Sequence, residues 1–359
     1  MPRFRDLRSP DLLKRLPPFQ LWAILVAGSA ILATVLELVG LPAALLLGPM
    51  IAGILLAANG GAVRAPKLPV IAAQAVVGCQ IARAMTADIV LTFLRDWPLF
   101  LGVVIVIVAT SGLLGWGIAR FKVLPGSTAV WGTAPGAAQA MMVLAGDFGA
   151  DPRLVAFMQY LRIVCVAGLA SVVARVWVGP IALIPHATWF PAVAWLDFTV
   201  TLTLVAIGVA AHQWLRVPAG ALLVPMLVGA PLEGSGLVHV TLPPWLLAVS
   251  YALLGWNVGL GFTREILAHA WRALPQVMAS ILALIAVCGA LAFVLVKAAG
   301  IDPLTAYLAT TPGGMDSVAI IAASSTADLS FVMALQTVRF AIVLVCGPSL
   351  ARFIAQRTG

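Results

Sequence analysis

The chain repeats itself, and this repeat limits it to folds built from two homologous halves. Residues 41–53 read LPAALLLGPMIAG and residues 217–229 read VPAGALLVPMLVG. Further along, with the register changed by one residue, Pro135–Gly136 match Pro312–Gly313. A slip of one residue over such a distance is what a tandem duplication leaves behind. In a membrane protein, halves with interrupted helices at matching positions are typical of transporters.

The composition is that of an integral membrane protein. Hydrophobic residues make up 62% of the chain and charged residues 9%, and the mean hydropathy is +1.08. A soluble domain could not bury so much apolar surface. The apolar runs are continuous, as in residues 99–119, and do not alternate as the strands of a membrane β-barrel do. We therefore predict an all-α membrane protein, a polytopic helical bundle of two homologous halves.

The apolar segments divide the chain into a short arm and two membrane repeats. Residues 1–18 form the arm, 19–183 the first repeat and 184–359 the second. Basic residues outnumber acidic ones in the arm, so the positive-inside rule predicts a cytoplasmic N-terminus. The predicted segments are 19–39, 41–58, 67–86, 97–119, 128–146 and 153–178, and then 189–211, 217–231, 241–262, 271–299, 303–323 and 329–354.

The fifth apolar segment of each half is interrupted near its middle. Pro135–Gly136 divide the first of these segments and Pro312–Gly313 divide the second. Proline removes a backbone donor and glycine tolerates dihedral angles that end a helix, so both segments are predicted to unwind. Unwound backbone persists at membrane depth where protein encloses it or where it lines a cavity. The alternative is a kinked helix that only packs.

The path of these fifth segments decides the topology. If they cross the membrane, twelve segments span it and the halves are parallel. If they enter and return, ten segments span it and the second half is inverted, which places more of the Lys and Arg residues on the cytoplasmic side. The positive-inside rule therefore favours inverted repeats with broken or re-entrant fifth segments.

Two arginines lie inside apolar helices, where each needs a partner. Arg162 and Arg339 each follow a glutamine by one helical turn, Gln159 and Gln336, so the paired side chains share a helix face. A guanidinium buried at membrane depth is unfavourable unless it is paired. Two roles remain open. The arginines brace the carbonyl ends of the broken helices, or they clamp an anionic substrate, because the guanidinium fork matches a carboxylate.

Three aspartates in these regions differ in their predicted roles. Asp151 and Asp328 open the last helix of each half, where a carboxylate caps the helix. Asp316 lies just past the second break, and its counterpart in the first half is Gln139. Ionisable groups beside unwound segments at mid-membrane often carry protons or coordinate cations. Asp316, with Ser317 beside it, is the predicted ion-coupling residue, and a helix cap is the alternative.

These features together resemble the bacterial inner-membrane AbrB duplication family. The doubled segment at 41–53, the breaks at Pro135 and Pro312, and the two Gln-x-x-Arg pairs carry the resemblance, which covers about residues 20–355. Members are labelled AidB regulator, AbrB family transcriptional regulator or ammonia monooxygenase, and are distinct from the soluble AbrB DNA-binding proteins. A looser similarity extends to the cation:proton antiporter and anion transporter superfamily. The resemblance implies the inner membrane and an effect on gene expression, and it brings no catalytic residues.

The functions that these labels imply can be compared with the side chains that each function would need. A copper or iron monooxygenase needs convergent histidines or carboxylates, whereas the four histidines here are isolated, so we predict no enzyme activity, metal or cofactor. Sequence-specific DNA binding needs a basic recognition module, and no cytoplasmic segment is long enough for one. We therefore predict no direct nucleic-acid contact. A membrane-bound regulator that acts indirectly, without transport, is the alternative function.

The predicted function is secondary transport of a small anionic solute, coupled to protons or sodium. The expected partners are this solute, the coupling ion and membrane lipid, and a homodimer is left open. The predicted substrate-binding residues are Pro135, Gly136, Gln139, Gln159, Arg162, Thr311, Pro312, Gly313, Gly314, Gln336 and Arg339. Asp316 and Ser317 are assigned to the coupling ion.

Overall fold

The structure is a computed structural model, and every regular element among its described residues is helical. It describes residues 13, 16–39, 43–83, 87–124, 126–178, 189–215, 219–236, 239–313, 318, 322 and 327–358. Five of the helices are long and apolar enough to cross a membrane. The prediction of an all-α membrane protein is confirmed.

The described residues form thirteen α-helices, and a π-helical turn (Ala211–Leu215) extends the eighth. In the first half they are α1 (Pro18–Leu38), α2 (Ala44–Ala58), α3 (Lys67–Arg83), α4 (Ala87–Arg120), α5 (Gly126–Thr133), α6 (Ala138–Asp147) and α7 (Pro152–Val178). In the second they are α8 (Trp195–Ala210), α9 (Gly220–Gly234), α10 (Pro244–Gly259), α11 (Arg264–Ala299), α12 (Pro303–Thr310) and α13 (Leu329–Thr358).

Two helices begin earlier than the sequence predicted. α4 starts at Ala87 and α11 at Arg264, whereas the apolar pattern placed these starts at 97 and 271. Charged residues lower the hydropathy of the added turns, and in α11 two of them, Arg264 and Glu265, occupy exposed positions and do not prevent a helix. In α4 the backbone at Asp96 is non-helical, with φ −117° and ψ 25°, just ahead of Pro98.

Small residues let the two halves pack into each other. An ideal Cβ on Gly78 of α3 would lie 2.2 Å from the carbonyl oxygen of Leu222 in α9. A Cβ on Gly255 of α10 would likewise lie 2.7 Å from the carbonyl oxygen of Leu46 in α2. Each half therefore places a glycine against the backbone of the other half, at positions that the sequence repeat matches. Only glycine permits so close an approach.

The fifth segment of the first half enters the bundle and returns to the side it came from. The backbone N–H of Asp151, just before α7, donates to the side-chain oxygen of Thr128 at the start of α5, at 3.1 Å. If α5 and α6 crossed the membrane in sequence, these two residues would be separated by roughly 30 Å of hydrocarbon. Residues 126–147, comprising α5, the break and α6, are therefore a re-entrant hairpin, called the first hairpin below.

The second half follows the same path. The N–H of Asp328, before α13, donates to the side-chain oxygen of Thr305 in α12 at 3.0 Å. The chain between these two residues leaves and returns, and residues 303–328 are called the second hairpin. Residues 314–317, 319–321 and 323–326 within it lie outside the described part of the chain. Two returning segments favour ten crossings and inverted halves over twelve crossings and parallel halves.

The charged residues separate onto two faces of the bundle. Three hydrogen bonds bring helix ends together on one face. Arg264 Nε donates to Ala58 O at 2.7 Å, and Arg153 Nη1 donates to Gly261 O at 2.6 Å. In the third, His269 Nε2 lies 3.0 Å from Val123 O. We call this the basic face. Its charged residues include Arg64, Lys67, Arg120, Lys122, Asp147, Asp151, Arg153, Arg264, Glu265, Arg272 and Arg352. At the opposite helix ends lie Glu37, Arg83, Arg95, Asp96, Asp197, Glu233, Lys297, Asp302 and Asp328.

Candidate functional site

The first break is a short non-helical stretch at the buried tip of the first hairpin. α5 ends at Thr133 and α6 begins at Ala138, so Pro135 and Gly136 interrupt the helix as predicted. All of the residues from Ala134 to Ala137 are buried. Because α5 ends here, its last carbonyl groups have no helical partner and must bond to something else.

A glutamine and an arginine from α7 supply those partners. Gln159 Nε2 donates to the carbonyl oxygens of Trp131 at 2.8 Å and Ala134 at 2.9 Å. Arg162 Nη1 donates to Ala134 O at 2.9 Å and to Thr133 O at 3.3 Å. Arg162 Nη2 donates to Gln159 Oε1 at 2.6 Å. The positive guanidinium therefore lies at the negative end of the α5 dipole, where it is favoured.

The second break is held in the same way at residues that the repeat matches. Gln336 Nε2 donates to the carbonyl oxygens of Leu308 at 3.0 Å and Thr311 at 3.2 Å. Arg339 Nη1 donates to Thr311 O at 2.8 Å, and its Nη2 donates to Gln336 Oε1. The pairs Gln159–Arg162 and Gln336–Arg339 are called the two braces below.

The contacts of both arginines are those of the bracing role. Arg162 and Arg339 are 2% and 1% exposed, and their Nη groups are occupied by backbone carbonyls and by the glutamines. In each guanidinium the Nε–H is buried and has no hydrogen-bond partner among the described residues. Each arginine therefore has an Nε–H without an acceptor among the described residues, while both of its Nη nitrogens donate to backbone carbonyls or to the paired glutamine.

Each break also lies beside the last helix of the other half. A Cβ on Gly313 would lie 3.1 Å from Val166 on α7. On the other side, Pro135 and Val343 of α13 line one narrow cavity, together with Ser111 and Trp131. The two breaks therefore share one region of the core.

A second cavity lies directly beside Arg162, and we call it the Arg162 cavity. It is narrow, and its open centre accommodates about one water-sized group. Its lining residues come from α4, α5, α7 and α11: Leu114, Gly132, Thr133, Met158, Arg162, Val277, Ser280, Ile281 and Leu284. The polar atoms that reach it belong to Arg162, Thr133 and Ser280.

The structure brings most of the predicted site residues together. Those at the two breaks and in the two braces converge as described above. Gln139 is half-buried in the first turn of α6, with no hydrogen bond among the described contacts. Gly314, Asp316 and Ser317 lie outside the described residues. Their assignment to substrate and coupling ion stays a prediction.

Sequence reasoning missed the cavity-lining residues on α5 and α11. Gly132 and Ser280 are ordinary residues of apolar helices, and nothing in their spacing marks them. A signal was nevertheless present in the repeat, because the position that matches Gly132 in the second half is Ala309 and the position that matches Ser280 in the first half is Val103. A position where the two halves differ in side-chain volume can mark a place where only one half leaves space.

A family described as "AbrB: Transition state regulatory protein AbrB" matches residues 45–355. The chain belongs to the AbrB family. The Escherichia coli (strain K12) protein named "Putative regulator AbrB" is 45% identical over 340 residues, which is 94% of this chain and 97% of that protein. The Bacillus subtilis (strain 168) "Uncharacterized protein YhjN" is 27% identical over 303 residues, covering 78% of this chain and 77% of that protein. The similarity of this AbrB-family protein to its E. coli relative therefore extends over most of both repeats.

Proposed function

We propose that this AbrB-family protein is a secondary transporter of a small anionic solute, coupled to protons or sodium. The observation that carries the proposal is the pair of matched hairpins whose broken ends share one region of the core. Interrupted backbone at this depth is characteristic of solute and ion sites in transporters with inverted repeats. A protein with a purely structural role gains nothing from two such breaks, because each leaves backbone carbonyls that need dedicated partners.

The charge distribution supports an orientation for this transporter. The basic face carries most of the described Lys and Arg residues, and the opposite helix ends are richer in Asp and Glu. By the positive-inside rule the basic face is cytoplasmic. α1 begins on the basic face, because Leu16 and Trp22 pack with Leu56 and Val63 at the end of α2. The N-terminus is then cytoplasmic, and the membrane is the bacterial inner membrane.

The braces hold the broken helix ends in place, so the hairpins can serve as a binding site while their helices stay interrupted. Gln159, Arg162, Gln336 and Arg339 satisfy the carbonyls at the breaks, so the residues at the tips stay free to meet a solute. Thr311, Pro312 and Gly313 would contact the solute from the second hairpin, and Pro135, Gly136 and Gln139 from the first. Asp316, with Ser317, would carry the coupling ion.

An indirect regulator is the rival function, and the name of the E. coli relative, "Putative regulator AbrB", favours it. In that reading the same cavity binds a signal molecule, and the protein changes gene expression without moving anything across the membrane. Its expected signature is altered expression in cells, with no flux in purified vesicles.

Transport can be tested with purified protein in liposomes. Uptake of radiolabelled chloride, formate, acetate and succinate would be measured under an imposed proton or sodium gradient. We expect protein-dependent uptake of at least one small anion that collapses when the gradient is dissipated. Asp316→Asn should reduce this uptake at least tenfold. Asp197→Asn is the matched control, because Asp197 lies in the first turn of α8, away from both hairpins, and it should leave uptake unchanged.

The absence of gradient-dependent uptake for every anion would contradict transport and favour the regulator. Uptake that survives Asp316→Asn unchanged would retain transport and reject the coupling residue.

A further inference from the structure

Three cations lie where the end of α4 meets the start of α11 on the basic face. Arg120 ends α4, Lys122 follows it by two residues, and Arg272 lies in the third turn of α11. All three are exposed, and in the described part of the chain no ion pair involves any of them. The two helices meet where His269 Nε2 lies 3.0 Å from Val123 O, and Arg272 follows His269 by one helical turn. We call Arg120, Lys122 and Arg272 the seam cations.

Exposed aromatic side chains place these cations at the depth of the lipid headgroups. α11 has 36 residues and is therefore about 54 Å long, whereas the hydrocarbon core of a bilayer is about 30 Å thick. Most of the polar residues of α11 lie in its first turns, so these turns lie outside the hydrocarbon. Trp271 on α11 is 75% exposed, and Phe121, just before Lys122, is 81% exposed. Aromatic residues of this kind collect at the membrane interface, where the seam cations then meet lipid.

The matching positions on the opposite face carry less positive charge. In the order of the seam cations, the residues that the repeat matches to Arg120, Lys122 and Arg272 are Lys297, Ala299 and Arg95. Asp96 directly follows Arg95, whereas an alanine follows Arg272. Glu265, the only carboxylate of α11, lies seven residues before Arg272, about 10 Å along the helix. The two ends are therefore built alike, and only the basic face has an excess of positive charge there.

The backbone at Lys122 indicates that its side chain has a use. The φ angle of Lys122 is 55°, in the left-handed region that favours glycine. α11 ends with a glycine in this conformation, Gly300, with φ 66°. Glycine would therefore be the more favourable residue at the end of α4 as well. Residues held in such conformations cluster at binding sites, where the side chain justifies the strain.

We infer that the seam cations bind the phosphate group of one anionic phospholipid, whose glycerol and upper acyl region packs against Phe121. Lysine and arginine both donate hydrogen bonds to phosphate oxygens, and a guanidinium can bond two of these oxygens at once. A lipid is favoured over a soluble anion because the exposed aromatic side chains beside the cations add contacts only to a bilayer. The lipid connects the two halves, since α4 belongs to the first and α11 to the second. The site is independent of whether the protein transports a solute or acts as a regulator.

Thermal unfolding of delipidated protein in detergent micelles tests the site. Dioleoyl phosphatidylglycerol would be titrated into the micelles, with dioleoyl phosphatidylcholine as the zwitterionic lipid and sodium glycerol 3-phosphate as the soluble phosphate. Because a ligand that binds only the folded state stabilises it, we expect a saturable rise in Tm of about 2–5 °C with phosphatidylglycerol. Phosphatidylcholine and glycerol 3-phosphate should give no saturable rise.

Variants of the seam cations show whether this surface is responsible. Arg272→Gln and Lys122→Gln should each increase the apparent Kd for phosphatidylglycerol about fivefold, and the double variant should lose the rise. Arg95→Gln is the matched control, because Arg95 is the exposed counterpart of Arg272 on the opposite face. It should keep the full rise. Without added lipid, Arg272→Gln should melt with the natural protein.

Lys122→Gly separates lipid binding from folding. Glycine suits the left-handed backbone at this position, so the variant should be at least as stable as the natural protein without lipid. It lacks the amine, so it should respond to phosphatidylglycerol as weakly as Lys122→Gln does.

Equal rises with both lipids, no saturable rise at all, or a full rise in the double variant would each overturn the site. A loss in Arg95→Gln as large as that in Arg272→Gln would show that positive charge anywhere on the surface is enough, and it would also overturn the site. A saturable rise with glycerol 3-phosphate alone would identify a soluble anion as the ligand and reject the lipid.

Discussion

The two hairpins hold their broken ends alike but differ in the space around them. In both, a glutamine bonds two carbonyls and an arginine bonds the carbonyl at the break, at residues that the repeat matches. Beside Arg162 lies a cavity, whereas Phe100 occupies the corresponding position beside the second hairpin. The brace is retained in both halves because buried carbonyls without partners destabilise any half that lacks it. Side-chain volume has no such requirement, so it is free to diverge.

The first hairpin also has contacts without a described equivalent in the second. Ser111 Oγ donates to Thr133 O at 3.0 Å, and the residue matching Ser111 in the second half is Cys288, a weaker donor. The carboxylate of Asp147 at the end of α6 accepts from the N–H of Ala219, which joins the hairpin to the start of α9. These contacts connect the first hairpin to the bundle around it.

Removing the arginines should have the largest effect and tests whether the braces are equivalent. Each hydrogen bond from a charged donor contributes roughly 1.5–3 kcal/mol, so we expect Arg162→Met to lower the free energy of unfolding by about 4 kcal/mol. Arg339→Met should lower it by about 3 kcal/mol, because Arg339 bonds fewer carbonyls among the described residues. Equilibrium unfolding in detergent micelles measures both. Arg272→Met, at an exposed position, is the control. An Arg162→Met protein as stable as this control would refute the bracing role.

Glycine substitutions test the reciprocal packing of the two halves. Gly78→Ala brings a methyl group to 2.2 Å from Leu222 O, and Gly255→Ala brings one to 2.7 Å from Leu46 O. Backbone oxygens cannot rotate away, so we expect losses of about 3 kcal/mol and about 2 kcal/mol respectively in the same unfolding measurement.

Gly102→Ala is the control for these two variants, because nothing lies within 4 Å of its Cβ position. It should be neutral or stabilising by up to about 1 kcal/mol, since alanine favours the helix. Equal losses in all three variants would show that the close approach of the halves is not what matters.

The smallest expected effect concerns the connection of the first hairpin to α9. Asp147→Ala removes an acceptor from the N–H that precedes this helix, which should lower stability by about 1 kcal/mol. Asp147→Asn retains a side-chain oxygen and should lie within about 0.5 kcal/mol of the natural protein. Thermal unfolding followed by tryptophan fluorescence distinguishes the two. If both variants melt with the natural protein, this contact does not hold the hairpin.

Much of the fold could be predicted because it follows directly from the order of residues along the chain. Hydropathy identified the membrane helices, and the starts of α4 and α11 were missed because charged residues lower the hydropathy of their first turns. The duplication and the prolyl-glycyl breaks could be recognised because an internal repeat, and the backbone N–H that proline lacks, are properties of the sequence itself. The pairing of Gln159 with Arg162 followed from helical spacing alone.

Three features depended on the tertiary structure. The return of the first hairpin is decided by which ends meet, and Thr128 meets Asp151 across 23 residues. The contacts of Arg162 depend on the directions of its N–H groups, several of which point at carbonyls made available by the break. The Arg162 cavity is a volume left between four helices, and no single segment encodes it. Covalent order and periodicity reside in the sequence, whereas hydrogen-bond direction and enclosed space arise only when distant segments pack together.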